Sequence, residues 1–345
     1  HTAWIKVHYT AEFFCANMTV EMDNTDKLKV LHEDALKMGL TFEPPDVNRG
    51  GYRFEPVTDK VIRYGLGAIK GSGQAAIEAI IAARNGQGPG PQGHVQGPFK
   101  SLWDFCTRVD RAKLNKRTLE ALIKAGAFDS IERNRAALMA ATDAAFEFAN
   151  AQWANAHQGG LFDMMGDDAQ GASSQAPELP QTLPWGIKER LMQEKTAVGF
   201  YLSGHLFDEV ESEVRQFIRT PLADLADSRE PQLLAGIVSD LRVINGQRGK
   251  LGLFKLDDKS ATLEASVDEA TLAAAKDVLK DDEFVVLQGK VQPDHFSGGL
   301  RIKATQVWSL ADARSRLARY WQVQAPAHIE LAPAIARLLQ TYPAP

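Results

Sequence analysis

The sequence predicts a multidomain α+β protein, a long helical region followed by one small five-stranded β-barrel. Three observations carry this expectation. The 345 residues suffice for two or three domains at roughly 100–200 residues each. Through the first two thirds of the chain, apolar residues recur at three- and four-residue spacings, the period of amphipathic helices. From Gln232 onward they gather in short runs of Val, Ile, Leu and Phe closed by turn residues, the pattern of strands.

Residues 1–55 open with two helices, TAEFFCANMTVEM and KLKVLHEDALKMG. Asp23-Asn24-Thr25-Asp26 offers N-caps for the second helix, and Gly39 offers its stop. Pro44-Pro45 ends the segment, and NRGGYRFEPV follows as a turn with a short strand. Residues 56–150 are helical and basic. There a short apolar segment runs into Ile69-Lys70-Gly71-Ser72-Gly73, then into a helix with Ile77, Ile80 and Ile81 on its apolar face. GQGPGPQGHVQGP is expected to be a flexible loop. SLWDFCTRV opens another helix, and LNKRTLEALIKAGAF repeats the plan, with Gly126 near its end and a new helix from Arg133.

Residues 151–185 are dominated by Gly, Ala, Ser, Gln and Pro, the composition of a flexible linker. Residues 186–230 return to helix. Residues 231–311 hold the strands QLLAGIVSDLRVI, LGLFKLDD, ATLEASV, DEFVVLQGKVQP and GLRIKATQVWSL, with an Asn-Gly turn after the first. The helix DEATLAAAKDVLK, with Asp268 as its cap, falls between the third and fourth. Five strands with a helix at that place follow the order of an OB-fold barrel. Residues 312–345 start with a helix, ADARSRLARYW, and read as the truncated start of a further segment.

Composition narrows the function. No apolar run approaches the ~20 residues a membrane-spanning helix needs. Cys15 and Cys106 are too few for a disulfide framework, which fits a reducing cytoplasm. The net charge of −5 excludes a globally basic protein, yet Lys60–Arg135 carries thirteen Lys and Arg against six Asp and Glu. A basic block within an acidic chain suits a local polyanion site; a solvated basic face explains the count equally well.

Three motifs carry chemistry. Lys70, Gly71, Ser72 and Gly73, followed by a helix, suit a helix-hairpin-helix. Glycines there let backbone N–H groups and a positive helix end meet a phosphate. With Lys116 and Arg117 in the second hairpin unit, these are the candidate duplex-binding residues; an ordinary glycine turn is the alternative. The barrel offers Arg242, Arg248, Lys250, Phe254, Phe296, Arg301 and Lys303 for a single strand, as cations and stacking rings, unless Phe254 is core and the charges are plain surface. Third, Gln158-Gly-Gly-Leu161-Phe162-Asp-Met164-Met165 places apolar side chains in a linker with nothing local to pack on. A partner's pocket or the chain's own helical domain would cover them equally well. No catalytic set or metal spacing is evident. Asp257-Asp258 and Asp281-Asp282 fall at expected turns, where solvated acids are common.

Together TAWIKVHYTAEFF, DNTDK, PPDVNRGGYRF, IRYGLGAIKGSG, LNKRTLEALIKAGAFD, GFYLSGH and FSGGLRIKA resemble the C-terminal half of the bacterial replicative C-family polymerases, the DNA polymerase III alpha subunits. The resemblance spans nearly the whole chain. It implies that residues 1–55 end a fingers domain and that 56–150 are a tandem helix-hairpin-helix domain gripping duplex DNA. It implies a clamp-binding segment in 151–185, where Gln158, Leu161 and Phe162 match the peptide that docks into the sliding clamp. It places the OB-fold near single-stranded template and a clamp-loader (tau) site in the tail, which looks truncated. The parent family is a DNA-directed DNA polymerase, a nucleotidyltransferase active in replication. Its magnesium-binding palm carboxylates are absent here, so this part is expected to be inactive alone and to hold no cofactor. An error-prone paralogue or a clampless repair module are the alternatives.

Overall fold

The structure, a computed structural model, describes residues 2–92, 94–162, 176–246, 249–294, 298–317 and 332–341. It divides into two compact units, His1–Glu209 and Val210–Pro345.

The first unit starts with helices α1 (Thr2–His8), α2 (Thr10–Val20) and α3 (Thr25–Lys37). The Asn24 side chain accepts from the Lys27 amide at 3.1 Å and so caps α3. Gly39 ends it at φ +82°, with Leu40 N–H returning to Ala35 O and Gly39 N–H to Leu36 O, each at 3.0 Å. Strands β1 (Thr41–Glu43), β2 (Glu55–Thr58) and β3 (Val61–Arg63) make a small sheet, with β3 parallel to β1 and antiparallel to β2. Helices α4 (Gln74–Arg84), α5 (Leu102–Arg108), α6 (Lys116–Lys124), α7 (Arg135–Ala140), α8 (Thr142–Phe162) and α9 (Ile187–Val198) follow. One apolar core runs from Ala11 in α2 to Phe200 just past α9. It shows no border at the expected 55/56 division and takes in the start of the expected 186–230 connector.

Two expectations change here. The linker begins later than the composition suggests, because α8 continues through Phe162. Beyond it, Leu179 packs against the core and Thr182 O accepts from Asn134 Nδ2 at 2.7 Å, so 176–186 lies along this unit. The glycine-rich stretch 85–97 is also tied down. The buried Arg108 guanidinium donates to the carbonyls of Ala83, Val95 and Gly97 at 2.7–3.0 Å and stacks on Phe99. A second buried guanidinium, Arg135, joins the helices: it bonds Asp129 at 2.6 Å, Lys124 O at 3.1 Å and Glu194 of α9 at 3.4 Å. Glu194 also accepts from the amides of Leu202 and Ser203. An ion pair this buried costs solvation and holds only because its remaining valences are satisfied.

The second unit begins with α10 (Glu211–Val214). Its strands β4 (Ser228–Gly246), β5 (Gly249–Asp257), β6 (Thr262–Val267), β7 (Phe284–Pro293) and β8 (Leu300–Trp308) close in the order β4-β5-β6-β8-β7. Helix α11 (Glu269–Ala274) lies between β6 and β7, capped as expected by Asp268 on the Thr271 amide at 2.9 Å. Only β6 and β8 pair in parallel. The OB-fold expected from the strand order is what forms. Leu234, Val238, Leu256, Val285, Leu287 and Ile302 fill its core. Asp258 is not the solvated turn acid expected. It is buried and accepts from Arg215 Nη2 at 2.7 Å, Leu222 N–H at 2.9 Å and the Ser260 hydroxyl. Helices α12 (Leu310–Leu317) and α13 (Ala332–Thr341) follow the barrel.

Candidate nucleic-acid interface

Local chemistry shapes the first hairpin. Ile69 is buried, and Lys70 N–H donates to Ala197 O at 2.8 Å. Gly71 then turns at φ +86°, a conformation that a side chain would strain. The Ser72 hydroxyl folds back onto Ile69 O at 2.6 Å and Leu66 O at 2.8 Å, fixing the loop from within. Gly73 caps α4 without a side chain. A Ser or Asp there would consume a free amide of the first turn. Among the described residues nothing accepts from the N–H groups of Gly71, Gly73, Gln74 and Ala75. A Cβ on Gly73 would meet no atom within 4 Å, so the approach is open. These donors, at the positive end of α4, suit a phosphate oxygen.

The second hairpin unit stands beside the first. Asn115 caps α6 by accepting from the Thr118 amide at 2.8 Å, and the Thr118 hydroxyl donates to Gly71 O at 3.1 Å. Arg117 Nε lies 3.5 Å from the point where a Gly71 Cβ would sit. The structure therefore brings Lys70, Gly71, Ser72, Gly73, Lys116 and Arg117 onto one surface, all exposed except the half-buried Ser72. Cations in the first turn of a helix are electrostatically misplaced for stability. Lys116 is compensated by Asp143 at 2.6 Å, whose carboxylate raises the ammonium pKa. Lys70 and Arg117 have no acidic partner among the described residues. The surplus read from sequence is smaller at the surface, since Arg84, Arg108 and Arg135 donate inward to carbonyls or buried acids.

On the barrel, register decides which residues share a face. Arg242 pairs with Leu253, Leu253 with Ser266, Ser266 with Lys303, and Lys303 with Lys290, a row running across the strands. Arg301 stands one step along β8, opposite Glu264. Arg242, Lys250, Arg301 and Lys303 are exposed as expected. Arg242, Leu251, Leu253, Glu264, Ser266 and Arg301 line one shallow cavity. Phe254 is a correction: at 2% exposure it belongs to the barrel core and offers no ring to a base. In LGLFKLD every second residue faces inward, and Phe254 takes that parity with Leu256. Exposed Lys290 was missed by sequence reasoning, because only strand pairing places it beside Lys303.

Arg248 and Phe296 lie outside the described residues, as do Met164 and Met165. For Gln158, Leu161 and Phe162 the backbone is the last turn of α8, while their side chains lie outside the described residues. No described helix is long and apolar enough to cross a membrane. Among the described residues no group of three or more His, Cys, Asp or Glu is placed to hold a metal ion.

Known proteins match both halves of this picture. A helix-hairpin-helix motif family matches residues 39–138, and an OB-fold nucleic acid binding domain family matches residues 233–310. The DNA polymerase III subunit alpha of Neisseria meningitidis serogroup B is 44% identical over 346 residues, covering 100% of this chain and 29% of that protein. Those of Pseudomonas aeruginosa and Escherichia coli K12 are 42% and 38% identical, each over 92% of this chain and 28% and 27% of their own length. The chain thus spans less than a third of the curated relatives it matches. Over that shared stretch it belongs to the DNA polymerase III alpha-subunit family, of which it matches a C-terminal portion.

Proposed function

We propose that this chain is the DNA-holding and clamp-tethering portion of a replicative DNA-directed DNA polymerase. One observation carries the reading: four open amides from Gly71 to Ala75, leading into α4, share a surface with Lys70 and Arg117, which have no acidic partner among the described residues. Duplex phosphates bind there without regard to sequence, through backbone donors and point charges. A single-stranded template crosses the barrel over Arg242, Arg301 and Lys303, with Lys250 beside them and with Arg248 and Phe296 as further proposed contacts. Because Phe254 is buried, contact on the described face is ionic and aliphatic rather than by ring stacking. Gln158, Leu161 and Phe162 form the peptide that docks on the sliding clamp, and clamp-loader contact belongs to 312–345. Tethering raises the local concentration of the polymerase at the primer end, so each contact can stay weak. Nucleotidyl transfer, with its magnesium, belongs to carboxylates outside this chain.

The test is duplex binding across salt concentrations for the chain and for Lys70→Glu/Arg117→Glu. The reading requires a steep negative slope that flattens in the variant. An unchanged slope removes the hairpin as the site. Clamp binding is checked with Gln158→Ala/Leu161→Ala/Phe162→Ala; equal binding by both proteins moves the clamp contact elsewhere. If neither binds, the error-prone paralogue or a clampless module gains.

A further inference from the structure

We infer that Thr118 is a positioning residue that couples the two hairpin units into one phosphate grip. The inference rests on the duplex-binding reading above. Thr118 is only 1% exposed, so its hydroxyl does not itself meet a ligand. Its two polar groups point to two different elements. The amide donates to Asn115 and completes the cap of α6, while the hydroxyl donates to Gly71 O at the turn of the other hairpin. The Nε of its chain neighbour Arg117 lies 3.5 Å from where a Cβ on that same Gly71 would sit. The hydroxyl bond therefore sets the distance between the guanidinium and the open amides of Gly71, Gly73, Gln74 and Ala75. On the opposite flank Lys70 N–H is held by Ala197 O of α9. The loop is clasped by two elements other than its own, and one of these bonds comes from a side chain that can be changed.

Preorganisation is the physical content of this arrangement. A glycine turn in a left-handed conformation has many alternatives, and amides pointing in several directions bind a phosphate poorly. Gly71 is exposed and its bond to Thr118 only part-buried, so water can replace that bond when the donor is removed. The expected loss is in the alignment of the amides with Arg117 more than in folding.

The experiment compares duplex binding and its salt dependence for the full chain, Thr118→Val and Thr118→Ser, with amide hydrogen exchange of 69–76 in each. Thr118→Val keeps the shape and removes the hydroxyl. The expected result is about five-fold or more weaker duplex binding and a shallower log–log salt slope by about 0.9, one phosphate contact. Exchange at the hydrogen-bonded loop amides of Ile69, Lys70, Ser72 and Ala76 should accelerate while the rest of the unit stays protected. Thr118→Ser should restore all three. Wild-type affinity and slope in Thr118→Val overturn the positioning role while leaving the duplex reading intact. A Ser variant that behaves like Val overturns it as well, because the methyl group and not the hydroxyl would then matter. If the unaltered chain shows no salt-dependent duplex binding, the duplex reading falls and this inference falls with it.

Discussion

In the helical unit, Arg84, Arg108 and Arg135 turn inward onto carbonyls and carboxylates, whereas in the barrel Arg242, Lys290, Arg301 and Lys303 stand on outward strand positions without an ion-pair partner among the described residues. The helical unit uses guanidinium groups as internal fasteners for its long loops and leaves a few backbone amides and cations at the hairpin surface. The second unit has one comparable fastener, Arg215 on the buried Asp258 beside the barrel, while the barrel's ladder satisfies most of its own backbone. Strand alternation alone projects its cations. The same residue types therefore do different work in the two units. Charge counted along a sequence approximates surface charge for strands better than for a helical unit with long connections.

The largest expected effect lies in the helical unit's fasteners. Glu194→Ala leaves Arg135 short of a buried partner and strands the Leu202 and Ser203 amides, and should destabilise this unit by about 3–5 kcal/mol. Denaturant unfolding followed by hydrogen exchange in each unit would read it; a loss spread equally over the barrel would undo the contrast. Acid should separate the units next. Burial lowers the His32 pKa from 6.5 to about 4 in the helical unit. Its stabilising contribution is complete above pH 6.5, where both states are neutral. It is lost as pH falls toward 4, because the unfolded chain takes up the proton first, amounting to roughly 3 kcal/mol.

Barrel stability should hold across that same window. Burial alone would raise the Asp258 carboxyl, but hydrogen bonds from Arg215, Ser260, and the Leu222 and Ala261 amides outweigh burial and hold it low. That contribution is present above the ordinary carboxylate range and disappears only as pH drops through the lowered value. Unit-resolved unfolding from pH 7 to 4 checks the order, and His32→Leu should remove the helical unit's slope.

Two smaller effects compare the grips. Gly71→Ala forces a side chain into φ +86° beside Arg117 and should weaken duplex binding about ten-fold, roughly 1.4 kcal/mol, leaving single-strand affinity unchanged. In the barrel no single residue should matter that much. Each of Arg242→Ala, Lys303→Ala and Lys290→Ala should lower the single-strand salt slope by about 0.7, roughly additively, while Phe254→Leu should change stability without changing the slope. A Phe254→Leu variant that loses single-strand binding would restore the stacking role that its burial removes.

Much of this architecture was legible. Asn24, Gly39, Gly126 and Asp268 end or begin helices because their backbone or cap chemistry is local, and local chemistry is written in adjacent residues. The barrel strands were legible from their lengths and turns. The sheet of β1 and β3 was not, since three-residue strands are too short to show a period. Phe254 was misread because LGLFKLD is apolar at most positions, so only pairing reveals its inward parity. The end of α8 was misplaced because Gly159-Gly160 and the polar stretch behind them read as linker. Arg108 was counted as surface charge because, Asp104 apart, its acceptors are carbonyls, which leave no trace in a charge pattern. The hairpin residues were identified, but their closeness to Arg117 depends on Thr118, whose partner lies 47 residues away.

The Arg108 anchor also fixes where this chain tolerates insertion. Val95, Gly97 and Pro98 give their carbonyls to it, and Gly90 sits so close to Thr107 O and the Trp153 ring that no side chain fits there. The loop is thus bolted at both shoulders. Between the shoulders the Val95 N–H bond to Gln92 O at 3.0 Å is what an insertion after Gln92 would give up, and a spliced epitope or fluorophore sequence there should leave both fastenings in place. The same splice moved a few residues toward Pro98 would take away the loop carbonyls and leave the buried guanidinium with only Ala83 O and Asp104.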